Sequence, residues 1–278
     1  MSENYTINLN EAPAALEALQ WYLDHGVDEV LLETPQDRTK IPDISTVIAK
    51  SAPPKNIIAP STPATTDMMG AAEAIMEAQK LTEQCDNLDA LQQAIMDFDG
   101  LSVKKTATNM VFSDGNPKAQ IMVIGEAPEA QEDIEGKPFV GQSGQLLDKI
   151  LACIDLDRKS DDMKCAVYIT NILNWRPPGN RTPTKAEMDI SYPFIARHIA
   201  LVKPKIIIIC GSVAGKALLK REESMSKMRG SFHEIEIGGH SCLALTTYHP
   251  TYLLRTPAQK KAVWADMLML QEKMIEVL

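Results

Sequence analysis

No run of about eighteen apolar residues occurs anywhere in this chain of 278 residues, so no part of it is expected to cross a membrane as a helix. The opening stretch MSENYTINLNEAPAAL has neither a basic start nor an apolar leader core, and no secretory signal is expected there. Cysteine is sparse: Cys85, Cys153, Cys165, Cys210 and Cys242 form an odd, scattered set with no C-x-x-C pair, and a reducing cytoplasm is the simplest setting. Cys210 closes the run IIIIC, where a buried thiol is expected. The Walker lysine pattern, G-x-G-x-x-G and G-x-S-x-G are all missing, which weakens the nucleotide-hydrolase, dehydrogenase and esterase readings. Basic residues are scarce at one end. Residues 1–100 hold 5 Lys and Arg against 17 Asp and Glu, a net of −12, whereas residues 101–278 hold 23 against 20, a net of +3. The overall charge of −9 speaks mildly against a nucleic-acid partner, but such asymmetry also marks an acidic extension beside a module that meets an anion.

What is present divides into three parts. Residues 1–33 are acidic, and within them APAALEALQWYLDH (12–25) reads as an amphipathic helix stopped by Gly26. Residues 34–66 turn to Pro, Ser, Thr and Ala and read as a linker. Residues 67–278 carry the main domain. Helices are expected near 67–81 and 88–98, and after Gly100 strands alternate with helices. MVFSDGNPKAQIMVI has a DG turn between two strand-like runs. GQLLDKILACI, KAEMDISYPFIARHIALV, SVAGKALL and PAQKKAVWADMLMLQEKM have helical spacing, while AQIMVI, AVYITNIL, KIIIIC and LALTTY read as strands. Repeated βα units predict an α/β fold of three layers, α/β/α, around a mostly parallel four-stranded sheet, with ligands bound beyond the carboxyl ends of the strands.

The unusual residues gather in the loops at those ends: GEAPEAQEDIEGKPFVGQSG, NWRPPGNRTP after Asn171, GSVAG and YHPTYLLR. His249 stands at a strand end before Pro250, whose ring restricts the His backbone. Asn171 also closes a strand; it is either a cap or a fixed amide that reads a base edge, donating to one atom and accepting from the next. Phe139 lies between Pro138 and Gly141 as a core anchor or as a ring presented for stacking. Gly141 and Ser143 at a helix start offer free amides suited to a phosphate. Arg176, Asn180 and Arg181 on one loop, Arg229 in MRGSF and Arg255 in YLLR are either solvated surface groups or the lining of a phosphodiester track. Leu253 and Leu254 are either core or a wedge for a base stack.

Taken together, GEAPEAQEDIEGKPFVGQSGQLL, TNILNWRPPGNRTP, KPKIIIICGSVAGKALL and YHPTYLLR resemble family 4 of the uracil-DNA glycosylase superfamily over about Phe98 to Leu278, with order and spacing kept. The resemblance implies a monofunctional DNA-repair hydrolase in the bacterial cytoplasm, at the nucleoid. Its partner would be uracil-containing DNA, single- or double-stranded, and it would act as a monomer without a membrane. It implies that Phe139 stacks on a uracil flipped from the DNA, and that Asn171 bonds uracil N3–H and O4, a pattern cytosine reverses. His249 would donate to O2, Glu126 and Ala127 would lie in the loop that holds the attacking water, and the leucines after His249 would fill the gap in the duplex. The acidic N-terminal part looks like an extension found on some bacterial members.

Two departures stand out. Family 4 enzymes usually carry a four-iron four-sulfur cluster on four cysteines, and the matching positions here are Phe98, Leu101, Trp175 and Ser191. Thiolates are the ligands such clusters need, so no cofactor and no metal site are expected, with apolar packing in the cluster's place. The family pattern GE-x-PG also has Gly where this chain has Glu129, which would exclude the 5-methyl of thymine, alter preference or repel phosphate. RPPGNRTPTKAE holds no His, which speaks against covalent capture of the sugar as in a sister group. The competing readings are a catalytically reduced relative that binds DNA or uracil without cleaving, and a doubly wound module for a small nucleotide.

Overall fold

The computed structural model describes residues 70–278. The expected helix 12–25 and the linker 34–66 lie outside the described residues. Two helices lead in, α1 (Ala71–Glu83) and α2 (Leu88–Asp97), close to the spans their spacing predicts. Asn87 starts the second, its side chain accepting the Ala90 N–H at 2.8 Å.

The sheet follows from the apolar runs. Strands β1 (Ser113–Gly115), β2 (Ile121–Gly125), β3 (Val167–Asn171), β4 (Ile206–Cys210), β5 (Phe232–Ile237) and β6 (His240–Thr247) lie in the order β1-β3-β2-β4-β6-β5. The four strands expected from sequence form the parallel centre, β3-β2-β4-β6, and β2, β3 and β4 are buried at every residue. Two antiparallel edges extend the expected four strands to six. One is β5, joined to β6 through Gly238 and Gly239, both at positive φ. The other is β1, and here the DG expectation is corrected. Asp114 and Gly115 lie inside β1, which pairs with β3 because β2 has both its edges taken by β3 and β4.

Alternation along the strands splits the core. Ile121, Val123, Ile169, Ile206 and Ile208 face one side, under α4 (Gly141–Ala152) and α9 (Lys260–Val277), and meet Leu147, Leu151, Val263 and Met267. Met122, Ile124, Tyr168, Ile207 and Ile209 face the other, under α5 (Lys185–Val202) and α6 (Ser212–Leu219), and meet Met188, Ile195, Ile199, Ala214 and Leu218. Each such side chain contributes about 1.5–3 kcal/mol when fully buried, which fixes strand register and face together. The short helices α3 (Ala130–Glu135), α7 (Met225–Met228) and α8 (Pro250–Arg255) lie in the connections. Strand order reverses about β2, with β3 on one side and β4 on the other. Ligands of parallel sheets bind at this kind of switch point.

A third apolar cluster joins α1 and α2 to the main body. Phe98, Leu101 and Trp175 sit in it with Ile190 and Phe194, and the Phe98 and Phe194 rings meet edge-on at 5.1 Å. Ser191 is buried beside Ile190.

Candidate active site

A cleft of about 790 Å³ opens over the carboxyl ends of the parallel strands. Four of its walls are strand-end loops, Glu126–Glu129 after β2, Pro177 to Thr182 after β3, Gly211–Val213 after β4, and Tyr248 to Arg255 after β6, and Ser224, Met225 and Ser226 at the start of α7 complete the lining. Among the four loops singled out from sequence, none is missing from it.

His249 lines the cleft; behind it, outside the lining, Phe139 contacts its ring and Asn171 flanks Phe139 across Gly125. A Cβ on Gly125 would strike Asn171 Oδ1 and stand 2.7 Å from the Phe139 ring. One on Gly211, itself at φ +97, would stand 3.3 Å from the His249 Cβ. The Phe139 and His249 rings contact each other, centroids 5.3 Å apart and tilted by 30°. Asn171 is 2% exposed, and among the described residues its Nδ2 has no hydrogen-bond partner, an arrangement that costs about 1–3 kcal/mol unless a ligand supplies an acceptor.

Phe139 departs from the presented ring expected from sequence, since it is also only 2% exposed. The cause is its backbone. Phe139 adopts φ +51, and its carbonyl packs so closely on Gly144 of α4 that a Cβ there would collide with it. Buried charges hold this conformation from both sides. Glu132 Oε1 accepts the Phe139 N–H, while Arg158 donates to the Pro138 carbonyl at 3.1 Å and reaches Asp148 at 2.7 Å. Glu132 therefore braces the loop through backbone amides, as does Asp133, whose carboxylate accepts the N–H groups of Thr108 (2.8 Å) and Asn109 (3.1 Å). Sequence reasoning missed Arg158, because its partners lie 10 to 44 residues away.

His249 caps α8, and its Nδ1 accepts the Thr251 N–H at 3.3 Å. Burial pushes the imidazole down to about 4, so it is neutral at pH 7 with its proton on Nε2. Glu126 lines the cleft and is pushed up to about 7, first by burial and then by the nearby charge of Glu129. Ala127 lines the cleft beside it. Glu129 turns its carboxylate onto Thr251 Oγ1 (2.9 Å) and toward Ser143 Oγ (3.5 Å). Thr251 was not singled out from sequence; the signal was its place two residues after His249 at a helix start.

The expected strand-binding set separates. Arg255 is exposed on the cleft rim and makes no ion pair among the described residues. Arg181 lines the cleft but forks onto Glu187, and Arg176 donates to Asn180 Oδ1 at 2.6 Å with Asp133 at 3.8 Å. Arg229 is corrected to a structural role. It pairs with fully buried Asp266 at 2.7 Å and lies over the Tyr248 ring at 5.6 Å, holding the end of β6 in place. Leu253 is corrected as well: it is 0% exposed and belongs to the core, whereas Leu254 is 41% exposed. One residue of register on α8 makes that difference. Gly141, at φ +70, begins α4, and Ser143 is buried there, its hydroxyl facing Glu129.

The iron–sulfur positions can be tested directly. Phe98, Leu101, Trp175 and Ser191 are all buried, yet they offer no thiolate. Cys85, buried in the same cluster, donates its thiol to the Leu81 carbonyl at 3.2 Å. Among the described residues no group of three or more His, Cys, Asp or Glu side chains could hold a metal. These side chains do not fit the cluster.

Residues 112–268 match the family model described as "Uracil DNA glycosylase superfamily". The chain is 38% identical to the type-4 uracil-DNA glycosylase of Saccharolobus solfataricus over 192 residues, covering 67% of this chain and 86% of that one. It is 35% identical to the enzyme of the same name from Pyrobaculum aerophilum over 187 residues, covering 66% and 92%. It is 36% identical to that from Thermotoga maritima over 149 residues, covering 53% and 73%. The strand-end cleft, the buried amide beside a phenyl ring and an imidazole, and these likenesses along most of the domain lead to one conclusion: the chain belongs to the uracil DNA glycosylase superfamily.

Proposed function

We propose that this chain hydrolyses the N-glycosidic bond of uracil flipped out of DNA and leaves an abasic site. The observation that carries the reading is the Asn171 amide, unpartnered among the described residues and buried beside Phe139, whose ring contacts that of His249 on the cleft wall. Extruding the base costs roughly a few kcal/mol, which contacts in the slot must offset. Asn171 Nδ2 donates to uracil O4 and Oδ1 accepts from N3–H. Cytosine presents the opposite pattern, a difference worth about 1–3 kcal/mol for a well-made bidentate pair. Phe139 contributes a stacking face. Because its ring now touches that of His249, the two must part as the base enters.

Breaking the C1′–N1 bond leaves the bonding electrons on uracil N1, delocalised to O2 and O4, and makes the sugar oxocarbenium-like. His249, neutral with Nε2–H, donates to O2 as that charge grows, in the manner of an oxyanion hole. Water held by the Glu126–Ala127 loop adds to C1′ on the other side. It gives up a proton, and the Glu126 carboxylate is suited to accept it because its affinity lies near neutral pH. No step needs a metal or a nucleophilic side chain, and none passes through an iron–sulfur cluster. Arg255 at the rim and Leu254 beside it meet the strand.

The test is release of uracil from a labelled single strand with one uracil, in excess over protein. Free base and an alkali-sensitive site over many turnovers are expected. Tight retention without release would establish the binding-only alternative instead.

A further inference from the structure

One acidic residue ties two cleft loops and the start of α4 together without having been given a part in the chemistry. Glu129 ends the loop after β2, and its main chain is fixed: its N–H donates to Glu132 Oε2 at 2.9 Å, and its carbonyl accepts from Asp133 N–H at 3.0 Å. From that anchored point, Oε1 accepts the Thr251 hydroxyl at 2.9 Å, and Oε2 faces the Ser143 hydroxyl at 3.5 Å. Thr251 in turn donates its backbone N–H to His249 Nδ1. A continuous chain therefore runs from the end of β2 through Glu129 and Thr251 to the imidazole, with a branch to the start of α4 just beyond Phe139.

We infer that Glu129 is a positioning residue that sets the orientation and tautomer of His249 through Thr251, rather than a gate for the base at C5. This rests on the reading of the cleft as a uracil-excising site. Three observations support it. Both carboxylate oxygens face hydroxyls of the protein, although Glu129 also lines the cleft. Thr251 is the second residue of α8, so its hydroxyl bond to Glu129 fixes the first turn beside the imidazole, while Pro250 and Leu253 are buried and dock the helix. The hydrogen bond to Nδ1 is the contact that keeps the proton on Nε2, where a donor toward the base is needed. Without Glu129, the Thr251 hydroxyl loses its acceptor and the first turn of α8 loosens. The imidazole then rotates or moves its proton to Nδ1. Catalysis falls while the cleft still binds the strand.

The experiment combines kinetics with imidazole ¹⁵N NMR on the full chain, whose five histidines make His249 assignable by comparison with His249→Ala. Glu129→Ala and Thr251→Val should each lower kcat about ten-fold, as expected for a catalytic group held slightly out of place, with affinity for a uracil-free strand changed less than about two-fold. The double variant should be no slower than either single one, because both cut the same chain. Glu129→Gln and Thr251→Ser keep an acceptor and a hydroxyl, and should recover kcat to within about three-fold of the parent. In the spectra, His249 should show Nε2–H in the parent and a tautomer mixture in Glu129→Ala. Unchanged kcat and tautomer in Glu129→Ala, additive losses in the double variant, or a Gln variant as slow as Ala would overturn the inference. New release of thymine from mismatches by Glu129→Ala would overturn it in favour of a gate. If the parent releases no uracil at all, the reading of the cleft fails, and the tautomer still decides whether Glu129 holds the imidazole.

Discussion

The cleft over the strand ends and the apolar cluster under α1 and α2 both depart from the family pattern, but in opposite ways. At the four positions that the resemblance assigns to iron ligands, Phe98, Leu101 and Trp175 fill space with carbon in the cluster, and Ser191 is buried next to Ile190. In the cleft region the residues proposed to contact the base, Asn171, Phe139 and His249, match the pattern that the sequence resembles, and the change is one added carboxylate, Glu129, which hydrogen-bonds to protein hydroxyls. The difference shows that structural support is exchangeable wherever another packing solution joins the same elements, while chemistry tied to fixed donors is not. A cluster and an interlocked group of aromatic side chains can each fasten α1 and α2 to α5. Nothing but an amide has both a donor and an acceptor in the right order for uracil.

That contrast breaks first, if it breaks, at the base slot. Asn171→Asp should lower uracil release by about 10³-fold and His249→Ala by about 10²-fold, the range lost when one preorganised donor is removed, while folding stays intact by circular dichroism. Loss of less than about three-fold in Asn171→Asp would mean that the amide does not read the base. The apolar cluster should behave in the opposite way. Trp175→Ala should cost about 3–5 kcal/mol of unfolding free energy in denaturant titrations, typical of a large aromatic removed from a core, with kcat per folded molecule nearly unchanged. A collapse of kcat with stability retained would mean that this region takes part in the chemistry. Iron offered to the thiol-reduced protein should not bind there.

A smaller effect sharpens the chemistry within the cleft. Burial and the charge of Glu129 push Glu126 up to about 7, so the carboxylate form that the proposed mechanism needs is lost as pH falls through that value. Activity should therefore rise with pH through about 7 and level off above it, and Glu126→Gln should lower kcat about ten-fold or more while flattening the limb. Glu132 is also pushed up to about 7 by burial, and it holds the Phe139 N–H. Glu132→Gln is thus the control: if the limb belongs to Glu132, it vanishes there and survives in Glu126→Gln.

Much of this arrangement was legible in the sequence, and what was not has a common physical origin. The parallel centre could be read because buried strands leave continuous apolar runs such as IIIIC, and the cleft because odd residues cluster where those runs end. One edge was there to be read, since β5 alternates with Glu234 and Glu236 exposed beside Ile235 and buried Ile237, whereas β1 pairs with β3 rather than with the strand next to it in the chain. Phe139 read as a presented ring because Pro and Gly flank it, but its left-handed backbone and the close approach of Gly144 turn the ring inward. The burial of Leu253 beside exposed Leu254 depends on how α8 docks, which is decided by contacts with α4 and α9. Those contacts lie far away in the chain.

The arginines carry the same lesson and the last of the expected effects. A guanidinium in a loop reads as a free cation until its carboxylate is found. Arg181 finds Glu187 six residues on, Arg176 lies near Asp133, and Arg229 meets Asp266 thirty-seven residues on. Arg255 alone of the four has no such partner among the described residues, and it stands on the cleft rim one position from exposed Leu254. A phosphate that pairs with Arg255 releases counterions without first breaking an ion pair, whereas one that pairs with Arg181 must displace Glu187. Arg255→Ala should therefore weaken strand binding a few-fold at low salt and reduce the slope of log K against log salt by about 1, whereas Arg181→Ala should change the slope by less. Arg229→Ala should leave the slope alone and lower stability instead, because it strands the buried carboxylate of Asp266. Equal slopes for all three variants would mean that the existing ion pairs do not decide which cations the strand can use.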